Sequence, residues 1–322
     1  MIVNHLLALS LAFILDRVIG DPRWLPHPVV WVGKLISVVE NKVNKGKYKR
    51  SKGVFFLVFI LAIVFIITMS IVVGAYLIHP FFGIVMEAMI IFYAIAQKSL
   101  KDAAMEVYEP LQTGNVTEAR LKLSYIVGRD TASLQEGDIV RGTVETVAEN
   151  TSDGITAPLF YALLGGAPLA FLYRAINTCD SMVGYNNDRF GRFGWASAKC
   201  DDLVNWIPSR ITGLIMIIVN HSSIHSKKES VNILVTDAKK HPSPNSGWGE
   251  AAVAALLGVQ LGGRNTYQGI VSNRALMGRK KVELKKEHIT QTVKIMARTC
   301  FAFLLFLWVI GGVSYAIART WG

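Results

Sequence analysis

The chain has 322 residues, is 52% hydrophobic and only 18% charged, and carries a formal net charge of +11. Soluble domains carry about 25% charged residues, and here the apolar excess sits in long runs. That excludes an ordinary soluble domain and predicts an all-α, polytopic integral membrane protein with about four to six membrane-inserted helices. No segment alternates as a membrane β-barrel strand does.

Basic residues are clustered: Lys42–Lys52 holds six without an acid, and Arg279–Lys286 holds five with Glu283 as the single acid. Beside hydrophobic spans, such clusters read as positive-inside topology and contact with the anionic lipid of a bilayer, rather than as nucleic-acid binding. Cys179, Cys200 and Cys300 form no CxxC pair, so neither a disulfide framework nor a zinc site is expected. The first residues lack the basic region and cleavage signal of a signal peptide.

In chain order, Ile2–Leu15 is short of the roughly 20 residues a span needs, and reads as a weak span or an interfacial helix. In the segment GDPRWLPHPVVWVGK, Pro22, Pro26 and Pro28 argue against helix. Trp24 and Trp31 suit the headgroup layer, and His27 reads as a turn residue. Val54–Ile78 is a strong span. His79-Pro80 turns the chain and Phe81–Ala96 returns it, with Glu87 facing another helix or reaching water. A polar stretch follows, with helices predicted at Lys98–Gln112, Val116–Ile126 and Thr131–Glu149, the last open to interruption at Gly137. Arg141, Glu145 and Glu149 are spaced by four and share a face of that last helix.

Asn150–Gly154 reads as a turn. Ile155–Tyr173 reads as a span broken at Pro158, Gly165-Gly166 and Pro168, and Leu203–Val219 as another containing Pro208 and Arg210. If both cross fully, 174–202 faces outward. The breaks favour re-entrant segments instead, which keep every polar motif on one side. His221–Thr299, with thirteen basic and five acidic residues, is a second polar excursion. It holds a loop at His241–Gly247 and a helix from near Trp248, with Ser246 as cap and Glu250 in its first turn. A glycine-rich turn at Gly262–Asn265 and a basic amphipathic helix over Asn273–Arg298 follow. Phe301–Ala318 is the last span. No repeat or linker divides the chain, so 1–322 reads as one membrane-embedded domain with polar helical excursions at 98–153 and 221–299.

There is no P-loop, no GxGxxG after a strand and no HExxH. What stands out is the crowding of carboxylates and amides between Arg129 and Gly213. Charge that close to lipid marks a functional site, and oxygen donors of this kind suit Mg²⁺ holding phosphates. On chemistry alone, the spacing NTCD…NND is similar to that of Mg²⁺-dependent membrane prenyl- and alcohol-phosphate transferases. A broken helix with buried charge also fits a transporter.

The segments VETVAENTSDGITAPLFYALLGGAPLAFLYRAINTCDSMVGY and FGWASAKCDDLVNWIPSRITG resemble the signature of the CobD/CbiB family of cobalamin-biosynthesis membrane proteins. DRVIGDPRWLPHPVVWVG and HPSPNSGWGEAAVAALLGVQLGG resemble it too. The four lie in the family's order along nearly the whole chain, while 51–100 and 214–235 match in hydrophobicity only. The resemblance implies an adenosylcobinamide-phosphate synthase of the cell membrane. Such an enzyme joins the free carboxylate of adenosylcobyric acid to the amine of an aminoalcohol phosphate, (R)-1-aminopropan-2-yl phosphate, with ATP as the expected driver. A corrinoid transporter and an Mg²⁺-dependent transferase are the alternatives.

The resemblance assigns no role to single residues. From the chemistry, Glu145, Glu149, Asp180 and Asp202 are the candidate catalytic carboxylates, and Asp153, Asp201 and Asp202 the candidate ligands of Mg²⁺. Arg129, Arg141, Arg174 and Lys199 are placed to pair phosphates, and Arg264 in its glycine-rich turn adds a fork for the same purpose. Asn150, Asn177 and Asn205 would orient substrate. The active site is expected on the cytoplasmic side.

Overall fold

The computed structural model describes residues 1–21 and 27–320. Pro22, Trp24 and Pro26 of the proline-rich reading lie outside the described residues. The chain opens with α1 (Ile2–Val18) and α2 (Pro28–Val43). Contrary to expectation, Pro28 starts a helix instead of preventing one. At the first helical position the missing N–H would have no intrahelical partner anyway. His27 is the cap of α2, its Nδ1 accepting the Val29 N–H at 3.2 Å.

The hairpin predicted next is α3 (Lys49–Ile78) and α4 (Pro80–Phe92). In α3 a stripe including Phe56, Ile60, Val64 and Val72 is buried, while Phe55, Val58, Ile66 and Ile67 are exposed. A helix apolar on every side, with only one side packed on protein, belongs in lipid.

Helices α5 (Gln97–Gln112) and α6 (Val116–Ser124) fall where the pattern predicted them. Helix α7 (Glu136–Thr151) starts later than predicted and is not interrupted at Gly137. The expected turn at Asn150–Gly154 does not form. Helix α7 runs on, Ser152–Thr156 make a π-helical turn, and α8 (Ala157–Val183) continues. Turn-forming side chains here are satisfied along the helix: Asn150 Nδ2 donates to the Thr146 carbonyl at 2.9 Å and Thr151 Oγ1 to that of Val147 at 2.7 Å. A π-turn accommodates an extra residue without ending the helix and recurs at functional sites.

Of the three predicted breaks in the following span, only the glycine pair interrupts the helix, with Gly165 at φ −156° and Gly166 at φ +64°. Pro158 follows the π-turn directly, and the Gly154 carbonyl that it cannot bond accepts the Ala96 N–H at 3.0 Å instead. Pro168 lies just past the break, where the carbonyl it would otherwise obstruct is already out of register.

Next come α9 (Trp195–Val204), α10 (Trp206–Val219), α11 (Lys227–Asp237), a short 3₁₀ turn Ala238–Lys240 and α12 (Ser246–Leu257). The glycine-rich turn and basic helix predicted for 262–298 are overturned. Strands β1 (Gln260–Tyr267) and β2 (Ile270–Gly278) form an antiparallel hairpin, and α13 begins only at Glu287 (Glu287–Thr320). Helix α12 ends instead at Gly258, in the left-handed conformation that closes helices. The hairpin turns on Gln268 and Gly269, both at positive φ, as a two-residue turn between twisted strands requires. Gly262 and Gly263, at φ +87° and +85°, absorb the bulge between Leu261 and Gly263.

Two compact units result. One comprises Met1–Ala96, Asp153–Asn205 and Leu304–Gly322, the other Gln97–Ser152 and Trp206–Phe303. Among the described residues, Lys49–Ile78, Pro80–Gln112, Glu136–Val183 and Glu287–Thr320 are long and apolar enough to cross a membrane, and the bent pair α9–α10 would make a fifth span. The protein is a multi-pass, helical membrane protein with one small sheet.

Candidate functional site

In the first unit, Tyr173, Asn177 and Asp180 recur at helical spacing and so share one face of α8 beyond the glycine break. On α9, Asp201 and the residue after its end, Asn205, are one turn apart. The two elements meet through these groups. Asn177 Nδ2 donates to Asp201 Oδ1 at 3.3 Å and Asn205 Nδ2 to Asp201 Oδ2 at 3.1 Å. The Tyr173 hydroxyl contacts Asn205 Oδ1 at 2.7 Å and the Asp153 carbonyl at 3.1 Å. Tyr161 stacks on Tyr173 with centroids 5.3 Å apart and donates to the Val204 carbonyl at 2.9 Å.

Asn205 is fully buried, and its amide is fixed on both sides, by Asp201 and by the Tyr173 hydroxyl. Each Asp201 oxygen still has a second lone pair for a ligand. Asp180 and Asp202 lie near enough for Asp201 to feel their charges. Arg174, whose Nε is buried without a hydrogen bond, feels those of Asp21 and Asp153. Lys199 pairs with Asp202 at 3.0 Å on the partly exposed side of α9.

The second unit gathers the other candidates around the hairpin. Arg129 Nη2 donates to Glu145 Oε2 at 2.5 Å and its Nη1 to Asn265 Oδ1 at 2.9 Å, all three residues being buried. Glu145 Oε1 accepts the Gly262 N–H at 2.8 Å. Arg141 donates to the carbonyls of Gly262 and Arg264 and to Asp138 Oδ1. These charges are therefore turned toward the bulged strand. Burial pulls the Arg129 guanidinium down, but Glu145, with smaller help from Tyr267 and Glu250, offsets this and holds it above its ordinary value. Arg264 contributes its carbonyl to this network and leaves its side chain exposed. Glu149 Oε1 accepts the Ser246 hydroxyl at 2.8 Å, so Ser246 serves Glu149 and does not cap α12.

Sequence reasoning missed His241 and Glu250. The sequence places Glu250 in the first turn of a helix from near Trp248, but α12 starts at Ser246, which sets Glu250 a turn deeper. It is 1% exposed, with no hydrogen bond to either carboxyl oxygen. His241 Nε2 lies 3.4 Å from its Oε1. Burial pushes the Glu250 carboxyl well up, and the charges of Glu145 and Glu149 push it further. Burial also pulls His241 down, against the opposing charge of Glu149. Burial thus disfavours the charged form of both partners. The signal available in the sequence was the apolar run that follows Glu250, which buries every residue of α12 except Trp248.

Among the described residues, no group of three or more His, Cys, Asp or Glu side chains is arranged to hold a metal ion. Magnesium needs no such cage: it commonly takes one or two carboxylates and completes its octahedron with phosphate oxygens and water. Asp201, with Asp180 near enough for its charge to be felt, is a donor set of that type.

The fold and this carboxylate–amide cluster define a polytopic membrane protein with a polar site built on a broken helix. The chain belongs to the CobD/Cbib protein family, whose model matches residues 9–296. It is 56% identical over 318 residues to a protein of Halalkalibacterium halodurans named cobalamin biosynthesis protein CobD, covering 98% of this chain and all of that one. A protein of the same name from Geobacter metallireducens is 49% identical over 259 residues, 80% of this chain and 81% of its own. Cobalamin biosynthesis protein CbiB of Salmonella paratyphi B is 41% identical over 314 residues, 96% of this chain and 98% of its own. No solved structure matches.

Proposed function

We propose that this protein acts in cobalamin biosynthesis as an amide-forming ligase. It would join the free carboxylate of adenosylcobyric acid to the amine of (R)-1-aminopropan-2-yl phosphate, giving adenosylcobinamide phosphate at the expense of ATP. The observation that carries the reading is the family match through residues 9–296, with relatives named cobalamin biosynthesis proteins.

A carboxylate is a poor acyl donor. In the proposed reaction its oxygen attacks the terminal phosphorus of ATP and ADP leaves. The amine nitrogen then attacks the acyl carbon, phosphate departs with the bonding electrons, and the nitrogen gives up a proton. Both steps concentrate negative charge on phosphate oxygens, which fixed dipoles and cations stabilise best. When bound, Mg²⁺ would offset that charge, and Asp201 and Asp180 are the residues we assign to hold it. Asn177 and Asn205 keep both Asp201 oxygens in place, so the carboxylate needs no reorganisation when substrate arrives. Asp202, next in the chain, is assigned as a second carboxylate of this site, and Arg174 as its fixed cation.

One mass spectrum of the corrinoid tests the reading. Purified protein supplied with adenosylcobyric acid, the aminoalcohol phosphate and MgATP should yield a corrinoid heavier by the amine less water. A corrinoid unchanged by folded protein would point to transport instead. Release of pyrophosphate or CMP from a prenyl or nucleotidyl donor would point to a transferase. Product formed without ATP would keep the ligation and remove the activation step.

A further inference from the structure

A cavity of about 870 Å³ opens in the first unit between the start of α3 and the 186–192 loop. Lys47, Lys49 and Arg50 line it from one side and Arg192 from the other, with Asp188 as its one acid among the lining residues. None of the four cations makes an ion pair among the described residues. The same loop shows what happens when a carboxylate is within reach: Arg189 Nη2 lies 2.7 Å from Glu40 Oε2. The guanidinium of Arg50 is held 3.7 Å over the Trp195 ring, a contact with the face of the guanidinium that leaves its N–H donors in the plane.

Two further features raise the positive potential. Helix α3 has no side-chain cap and no acid in its first turn, where Lys49, Arg50 and Lys52 stand instead, the reverse of what a helix dipole favours. Asn187 spends its Oδ1 on the N–H groups of Arg189 and Phe190, at 3.1 and 2.9 Å, which leaves its amide nitrogen as a donor. Like charges gathered in a concavity repel one another and focus the field on whatever enters. The volume falls in the range of sites for molecules the size of a nucleotide, about 300–1,000 Å³.

We propose that this cavity is a binding site for a phosphate-bearing anion, separate from the Asp201 cluster. The shared chemistry is a phosphate group, and two sources offer it: the headgroup of an anionic phospholipid, or a soluble polyphosphate such as a nucleotide.

The test is thermal unfolding of the full chain, which reads binding without any ligation assay. Inorganic pyrophosphate is titrated into protein in a neutral detergent at fixed ionic strength, and nanodiscs of phosphatidylglycerol are compared with phosphatidylcholine. Ligand that binds only folded protein raises the unfolding temperature in proportion to its occupancy. The cavity variant is Lys47→Gln with Arg192→Gln, both at exposed side chains; Lys49→Gln alone is the second variant, and Lys228→Gln with Lys239→Gln is the control for general charge. A shift of the wild type that needs about tenfold more anion in the cavity variants, and not in the control, supports the site. Pyrophosphate giving that response identifies a soluble ligand, and phosphatidylglycerol alone giving it identifies the lipid headgroup. No shift of the wild type with either anion, or a shift that survives unchanged in both cavity variants, overturns the proposal.

Discussion

Glu87 on α4 accepts the backbone N–H of Ala167 at 3.0 Å, just past the break in α8. The same carboxylate meets His5 Nδ1 at 2.8 Å and the Tyr76 hydroxyl at 2.7 Å, and it is fully buried. A helix interrupted at membrane depth exposes N–H groups that lipid cannot satisfy. Here one buried acid from another helix supplies the acceptor. Glu87→Ala would strand three partners at once and should cost about 3 kcal/mol of stability, read as a lower melting temperature in detergent. Gly166→Ala should also destabilise, since its Cβ would run into Glu87 and His5 at a backbone of φ +64°. A Glu87→Ala protein that melts like the wild type would mean the break is satisfied some other way.

Asp237, buried at the end of α11, accepts the Gly278 N–H at 2.8 Å, Lys240 Nζ at 2.5 Å and Arg279 Nη1 at 2.9 Å. Burial pushes its carboxyl up, but these three partners outweigh burial and hold it below the ordinary value. An acid depressed in the folded state contributes stability above its unfolded value of about 3.9, and loses that contribution as pH falls through the folded value. Asp237→Asn should therefore cost about 2 kcal/mol at neutral pH, and the gap from wild type should close below about pH 4. Denaturation midpoints from pH 7 to 3 measure this, and a gap that stays constant contradicts it.

Glu250 predicts the opposite slope. Burial, then Glu145 and Glu149, raise its carboxyl, with Arg274 and Arg129 opposing. A raised acid costs stability as pH climbs from its unfolded value of about 4.3 toward its folded one. Glu250→Gln should flatten that decline and melt higher than wild type at pH 8, with little difference near pH 4. A variant less stable than wild type at both ends would show that the ionised carboxylate has a partner.

Asp201→Asn keeps the shape of its side chain and removes the charge between Asn177 and Asn205. The proposed ligation should fall about 100-fold or more, as when a charge-stabilising group is lost from an active site, while the protein still melts cooperatively. Asp202→Asn, whose carboxylate is paired with Lys199, should lose less. Activity within about twofold of wild type in both variants would remove this cluster from the chemistry.

Topology can be read from one cavity. Lys47 and Asn187 line the same space, so they share a side of the membrane, and the basic cluster around Lys47 belongs in the cytoplasm by the positive-inside rule. Lys47→Cys and Asn187→Cys, each in a background lacking the three native cysteines, should react with an impermeant thiol reagent only after cells are opened. Labelling of Asn187→Cys alone in intact cells would contradict this shared side.

Much of the fold was legible because lipid imposes a coarse rule. Apolar runs such as Val54–Ile78 must be helical, and polar stretches such as Lys98–Gln112 keep the helical period. Where that rule does not apply, the reading failed. The segment 260–278 carries a strand hairpin that its glycines and charges disguised, because a bulge at Leu261–Gly263 breaks the alternation that marks a strand. Asn150–Gly154 is rich in turn-forming residues and stays helical, with Asn150 and Thr151 bonding backward along their own helix.

The sequence by itself determined that the chain enters a membrane, that its family is CobD/Cbib, and that Arg141, Glu145 and Glu149 share a helix face. These follow from hydropathy, from ordered motifs and from the 3.6-residue period, all of which are local. Only the tertiary structure decided which carboxylate is held by which amide, that Arg129 and Glu145 brace a hairpin, and that Glu250 is buried beside His241. Apart from Asp201 and Asn205, one turn apart, those pairings join residues of different elements, up to 136 positions apart for Arg129 and Asn265, and no local period encodes them. They are set by which buried polar groups can satisfy one another once the helices have packed.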